Sequence, residues 1–197
     1  MIKKLLLLLL LLSCCKEDKT LGKSPTIMKL FNKHEILDLE RILTFFDNQI
    51  IGEFKSKSLR KNYSLFHEKS LKRLDSGEIY LGFSYEKQDK LILELKKSTF
   101  KKIWDLGKSY NNNNKDTTSI INLKVDGNYM KFLEIIGKEN IAIKKYVDDL
   151  TFNYDITPSQ SYFFVNNYDS IDIKDERIRL MIAIHYLTLN NIYGKRE

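Results

Sequence analysis

From residue 33 onward apolar side chains return every three or four positions, the repeat of a helix that turns one face to a core. Ile36, Leu39, Leu43, Phe46 and Ile50 form the clearest stripe, widened by Ile42 and Phe45. Asn32 stands just ahead of it and Glu35 three residues on, a capping-box pair that predicts a helix over about 33–51, ended by Gly52. Leu59, Tyr63, Phe66 and Leu74 predict a second helix from Ser58 to Leu74, stopped by Ser76-Gly77. A third helical region covers about 84–106 through Leu91, Ile92, Leu95, Phe100, Ile103 and Trp104, with Ser98-Thr99 as a break point and Gly107 as its close.

Residues 108–118 include four consecutive asparagines, show no apolar period and read as a surface loop. Ile120 to Val125 alternates imperfectly and is the best strand candidate, with no evident partner strand. Helical spacing resumes with Tyr129, Phe132, Leu133 and Ile136 up to Gly137, and again with Tyr146, Val147 and Leu150. Thr157-Pro158-Ser159-Gln160 is a start signal, with a threonine cap, proline at the first helical position and glutamine at the third. Asp172 is read as the cap of a long last helix. Ile178, Met181, Ile182, Leu189 and Ile192 lie on one side of it and Leu180, Ile184 and Leu187 on the other. Such a helix is buried around most of its circumference and belongs at the centre. The expectation is a mostly α, single globular domain over 33–197, with six or seven helices and at most a minor strand near 120–125.

The start of the chain has a different pattern. Met1-Ile2-Lys3-Lys4 precedes an unbroken run from Leu5 to Leu12, then Ser13-Cys14-Cys15. Two lysines, a short apolar run and a small residue before the cut make a secretory leader. Eight leucines are too few to span a bilayer, which takes roughly 20 apolar residues. Leu-Leu-Ser-Cys ending at Cys14 and Leu-Ser-Cys-Cys ending at Cys15 both resemble the lipobox of bacterial lipoproteins. In that class the cysteine sulfur is diacylated and the leader removed, and two or three acyl chains hold a protein stably on a membrane. Cys15-Lys16-Glu17-Asp18 resembles the surface-export signal of Bacteroidetes lipoproteins, a Cys-Lys-acidic-acidic run. That resemblance implies Cys15 as the lipidated residue, Lys16, Glu17 and Asp18 as the export address, and the outer face of the outer membrane. Ser13 suits a cut before Cys14, so Cys14 stays an alternative. The domain order implied is a leader over 1–14, a lipidated cysteine and flexible tether over 15–32, and the helical domain. Gly22, Ser24 and Pro25 are the linker residues of that tether.

Composition narrows the chemistry. The 43% apolar and 12% aromatic content is that of a folded chain. The only two cysteines are adjacent, so no intramolecular loop is stapled. Removing Lys3 and Lys4 with the leader lowers the formal charge from +7 to +5. The remaining lysines are interleaved with acids and concentrate nowhere as a nucleic-acid site requires, so no nucleic acid is expected as a partner. His34, His67 and His185 sit in three separate helices without a paired-ligand spacing, and no metal or cofactor is expected. His185 shares a face with Met181, Ile182 and Leu189 and reads as a core histidine. Asp47 reads as a partly exposed helix-edge aspartate, with a pKa raised by neighbouring Phe45 and Phe46 as the alternative, and Asp148-Asp149 are adjacent and so point about 100° apart on a helix. No nucleophile elbow and no glycine-rich phosphate loop is present. The function expected is therefore non-enzymatic: a binding or interaction lipoprotein at the cell surface, held on the membrane by covalent lipid and facing a protein or glycan partner. The alternative is a periplasm-facing immunity or inhibitor lipoprotein that occludes a toxin or lytic enzyme. An enzyme, ranked third, requires His185, His67 or Asp47 to converge on other polar groups in a pocket.

Overall fold

The computed structural model describes residues 20–77, 83–110 and 117–193. Cys14, Cys15, Lys16, Glu17 and Asp18 lie outside the described residues. Thr20 to Asn32, expected as tether, is part of the domain instead. A 3-10 turn over Leu21–Lys23 leads to Ser24, which caps a short helix, α1 (Pro25–Leu30), with proline at its start. Leu21, Ile27 and Phe31 are buried, and the Leu21 N–H donates to the Glu176 carboxylate at 3.0 Å. The same serine and proline that suggested a linker are helix-start residues here, and the three apolar residues around them bind the segment down.

Asn32 opens α2 (Lys33–Phe54) as its side chain implies. Its oxygen accepts from the His34 and Glu35 N–H groups at 3.0 and 3.1 Å, and Glu35 accepts from the Asn32 N–H at 2.8 Å. The helix runs through Gly52, where a side chain would meet only open space, and ends at Lys55 in the left-handed conformation. Ser58 caps α3 (Leu59–Asp75). The third helical region is two helices, α4 (Tyr85–Glu94) and α5 (Lys97–Ile103), and the break falls at Leu95-Lys96 rather than at Ser98-Thr99. The cause lies across the fold. Asp38 of α2 accepts from the Lys96 N–H at 2.9 Å and from the Thr99 hydroxyl at 2.6 Å, capping a helix whose own cap residue, lysine, has no acceptor.

Trp104 to Tyr110, expected as a helix end followed by a loop, is a strand, β1 (Trp104–Tyr110). It pairs antiparallel with β2 (Thr117–Leu123), Trp104 opposite Leu123 and Tyr110 opposite Thr117. The minor strand near 120–125 thus has a partner. Helical spacing carries on as far as Trp104, but its ring is buried and its Nε1–H donates to Thr188 at 2.8 Å, which turns the chain out of α5. The Ile121 N–H donates to Asn191 at 2.9 Å and fixes the hairpin to the last helix.

After Gly127 come α6 (Asn128–Glu139) and α7 (Ile141–Asn153), then a 3-10 turn (Pro158–Gln160), α8 (Ser161–Asn166), a second such turn (Tyr168–Ser170) and α9 (Glu176–Tyr193). Asp172 does not cap α9; Asp175 does, accepting from the Arg177 N–H at 2.9 Å. Every residue of α9 from Arg177 to Ile192 is buried. α2, α4 and β2 pack against it, α3 packs on α8, and α6 pairs with α7. The result is one mostly α domain with nine α-helices among the described residues. The excess over seven comes from α1 and the divided third region.

A candidate binding groove and a buried histidine network

Between α4, α5 and the hairpin runs a groove of about 670 Å³, within the range of small-molecule and peptide sites. Ile92, Leu93, Leu95, Phe100, Leu106 and Ile120 give it an apolar lining. Two of these are unusual for a water-facing position: Leu93 is 84% exposed and Leu106 76%. Single exposed leucines are ordinary, but two across one apolar cleft make a contiguous patch, the usual mark of an interaction site.

The groove is also charged unevenly. Lys97 and Lys101, one helical turn apart on α5, line it without an ion pair among the described residues. Its two acids are engaged. Asp105 meets Lys124 at 3.5 Å, and Asp89 accepts the Tyr85 hydroxyl at 2.7 Å, with its pKa raised by burial. With Asp105 paired, two lysines face one carboxylate, so the balance of the groove is positive. Leu93 and Leu106 are absent from the sequence-based stripes, because an apolar residue in a helical or extended run carries no mark of whether it faces core or solvent.

The expected site residues elsewhere divide sharply. His34 is exposed at the start of α2. Asp148 pairs with Lys144 at 2.6 Å on the exposed side of α7. Asp47 accepts from the Tyr63 hydroxyl at 2.5 Å and the Arg179 Nε–H at 3.2 Å. Burial raises its pKa and those two contacts oppose the rise, so it acts as a structural clamp between α2, α3 and α9.

His67 and His185, by contrast, are joined. The Tyr146 hydroxyl and Nδ1 of His185 lie 3.1 Å apart, and His185 Nε2 lies 3.1 Å from the Ser161 hydroxyl. Ser161 also bonds the Tyr186 phenol, whose oxygen is 3.3 Å from Nδ1 of His67. Five side chains from α3, α7, α8 and α9 thus form one buried chain, walled by Phe164, which stacks on His67 and meets His185 edge-on. Burial pushes both histidines down to about 3, His185 also through its neighbour His67. Both are neutral in the fold, and a group that does not titrate near neutral pH is poorly suited to general acid–base work. His185 has both nitrogens engaged and is fully buried. Nothing in the spacing of these five residues announces the chain, since it joins four helices.

Among the described residues, no cluster of three or more histidine, cysteine or acidic side chains is placed to hold a metal ion, and no helix is long and apolar enough to cross a membrane. The chain matches no protein-family model, no curated protein and no solved structure.

Proposed function

We propose that this chain is a lipid-anchored envelope protein, acylated on Cys15 and displayed at the cell surface, that binds an apolar, acidic segment of a partner protein without catalysis. The observation that carries the binding half is the groove. Its exposed Leu93 and Leu106 offer apolar area to a partner, and Lys97 and Lys101, which have no ion pair among the described residues, set the sign of the charge that partner presents. The leader and the Cys-Lys-Glu-Asp run support the anchor.

The two halves are tested separately. Labelled palmitate fed to the producing cells is expected to mark the wild-type protein and a Cys14→Ser variant but not Cys15→Ser. Protease added to intact cells is expected to digest the protein; protection would favour the periplasm-facing immunity reading. For the groove, a peptide of alternating leucine and glutamate is expected to bind in calorimetry, and its leucine–lysine counterpart is not. Leu106→Lys and Lys101→Glu, both at exposed positions, are each expected to weaken binding at least tenfold with an unchanged melting temperature. Equal binding of both peptides, or indifference to these variants, would sink the groove as the binding face.

A further inference from the structure

Because Thr20 to Asn32 is folded into the domain, little chain is left between the domain and its proposed anchor. Only Lys16, Glu17, Asp18 and Lys19 separate Cys15 from Thr20, the first described residue. Five residue steps span at most roughly 18 Å, however the chain between them is arranged. A domain of this length is roughly 40 Å across. A link shorter than half that width leaves the domain little freedom to turn over. The side by which the chain enters at Thr20 is therefore held towards the lipid.

That side carries apolar side chains turned to solvent. Two residues beyond Thr20, Gly22 lines an open hollow of about 480 Å³ formed with α1 and the first turns of α2. Met28, Phe31, Ile36 and Leu37 supply its apolar wall. Phe31 is buried, but Met28 is 59% exposed and Leu37 49%. Leu21 and Ile27, fully buried on the inner side of the same segment, fix this surface to the core, so it is formed before anything meets it. Lys33, also in the hollow, and Lys29, next to Met28, are exposed and have no ion pair among the described residues. Glu40 is the acid of its lining. Apolar side chains edged by lysines suit the boundary between lipid headgroups and acyl chains, where the first enter and the second meet phosphate.

We propose that the anchored domain rests directly on the bilayer through this end, with Met28 and Leu37 in the headgroup region and Lys29 and Lys33 against lipid phosphates. The inference rests on acylation of Cys15 as proposed above, and is independent of what the apolar groove binds. Two leucine-sized side chains and two lysines are too few to draw a protein onto a membrane from solution. Here the short link makes the contact intramolecular, at an effective concentration on the order of millimolar, so a weak surface is enough. The length of the link also selects the occupant, since the lipid surface lies within reach of this end at all times and a soluble partner does not.

The test uses the mature protein purified from the producing cells as wild type, Met28→Trp, Leu37→Trp and Ile51→Trp. Each is reconstituted into vesicles of phosphatidylethanolamine and phosphatidylglycerol, with or without bromine on the upper acyl chain as a fluorescence quencher. All three substituted positions are exposed, and Ile51 lies on α2 about 21 Å beyond Leu37. Trp104, the natural tryptophan, is fully buried, so wild-type emission is expected to be indifferent to bromine. The added emission of Met28→Trp and Leu37→Trp is expected to fall by about half, because interfacial side chains sit roughly 5–10 Å into the headgroup boundary. That of Ile51→Trp is expected to stay unchanged. Mass spectrometry of the same samples counts the acyl chains. A protein without them overturns the anchor reading and this inference with it. An acylated protein in which Met28→Trp and Leu37→Trp escape bromine, or are quenched no more than Ile51→Trp, overturns the bilayer contact alone.

Discussion

At the scale of single residues, the two buried histidines set how the protein responds to acid. Each has an ordinary imidazole pKa when the chain unfolds and one of about 3 in the fold. Between those values the unfolded chain binds more protons than the folded one, so stability rises with pH across that window and falls as acid is added. Their contribution is complete above about pH 6.5 and is lost as pH drops towards 3. Going from pH 7.5 to 5 is expected to remove roughly 2 kcal/mol per histidine. Glu35, whose pKa is lowered because its bonds to Lys102 and Asn32 outweigh desolvation, acts in the same direction; Asp47 and Asp89, both raised by burial, act in the opposite one. Urea midpoints at pH 5, 6 and 7.5 check the sign, and His185→Phe is expected to flatten the curve. Ser161→Ala removes the hydrogen-bond partner of His185 Nε2 and is expected to cost about 1–3 kcal/mol at pH 7.5 in the same assay. The sequence made His185 a core residue, from the apolar neighbours at one and two turns. It did not reveal His67 as its partner, because hydrogen bonds between helices distant in sequence leave no periodic trace.

At the scale of elements, two helices owe their starts to residues far away in the chain. The Asp38 carboxylate caps α5 from α2, so Asp38→Ala is expected to destabilise the fold by about 1–3 kcal/mol and to raise hydrogen exchange at the first amides of α5. α6 begins where Gly127 presses against backbone. A Cβ there would stand 2.5 Å from the Lys102 carbonyl oxygen and 3.0 Å from that of Lys124. Gly127→Ala is therefore expected to cost about 1–3 kcal/mol by thermal or urea unfolding, although the backbone angles suit any residue. Local signals were readable where the cap and the helix are neighbours, as at Asn32 and Glu35. At Thr157 and Gln160 the capping box forms too, but it opens a single 3-10 turn before α8 rather than one continuous helix. Where the cap comes from another element, as at Lys96, the sequence placed the break wrongly. β1 was missed for a related reason: its mixed run Asp105-Leu106-Gly107-Lys108 has no alternation, and what extends it is the pairing with β2.

At the scale of the whole molecule, the segment 20–32 and α9 hold the two ends of the domain together. Leu21 and Ile27 are completely buried and Glu176 accepts the Leu21 N–H. A chain beginning at Lys33 is expected to melt well below one beginning at Thr20, which calorimetry on the two forms would measure. Burying even two leucine-sized side chains is worth about 1.5–3 kcal/mol apiece. The class of fold and the central place of the last helix were legible from apolar spacing alone, while the groove was not, since it arises where a missed hairpin meets a divided helix. The burial of α9 on all sides also has a consequence in time. It is synthesised after α2, α4 and β2, the elements that pack on it, so none of them meets this surface until the last helix has been made. During translation the earlier elements remain without the surface that closes them into a domain. A chain of that kind stays open to a secretory channel, which the proposed export route requires.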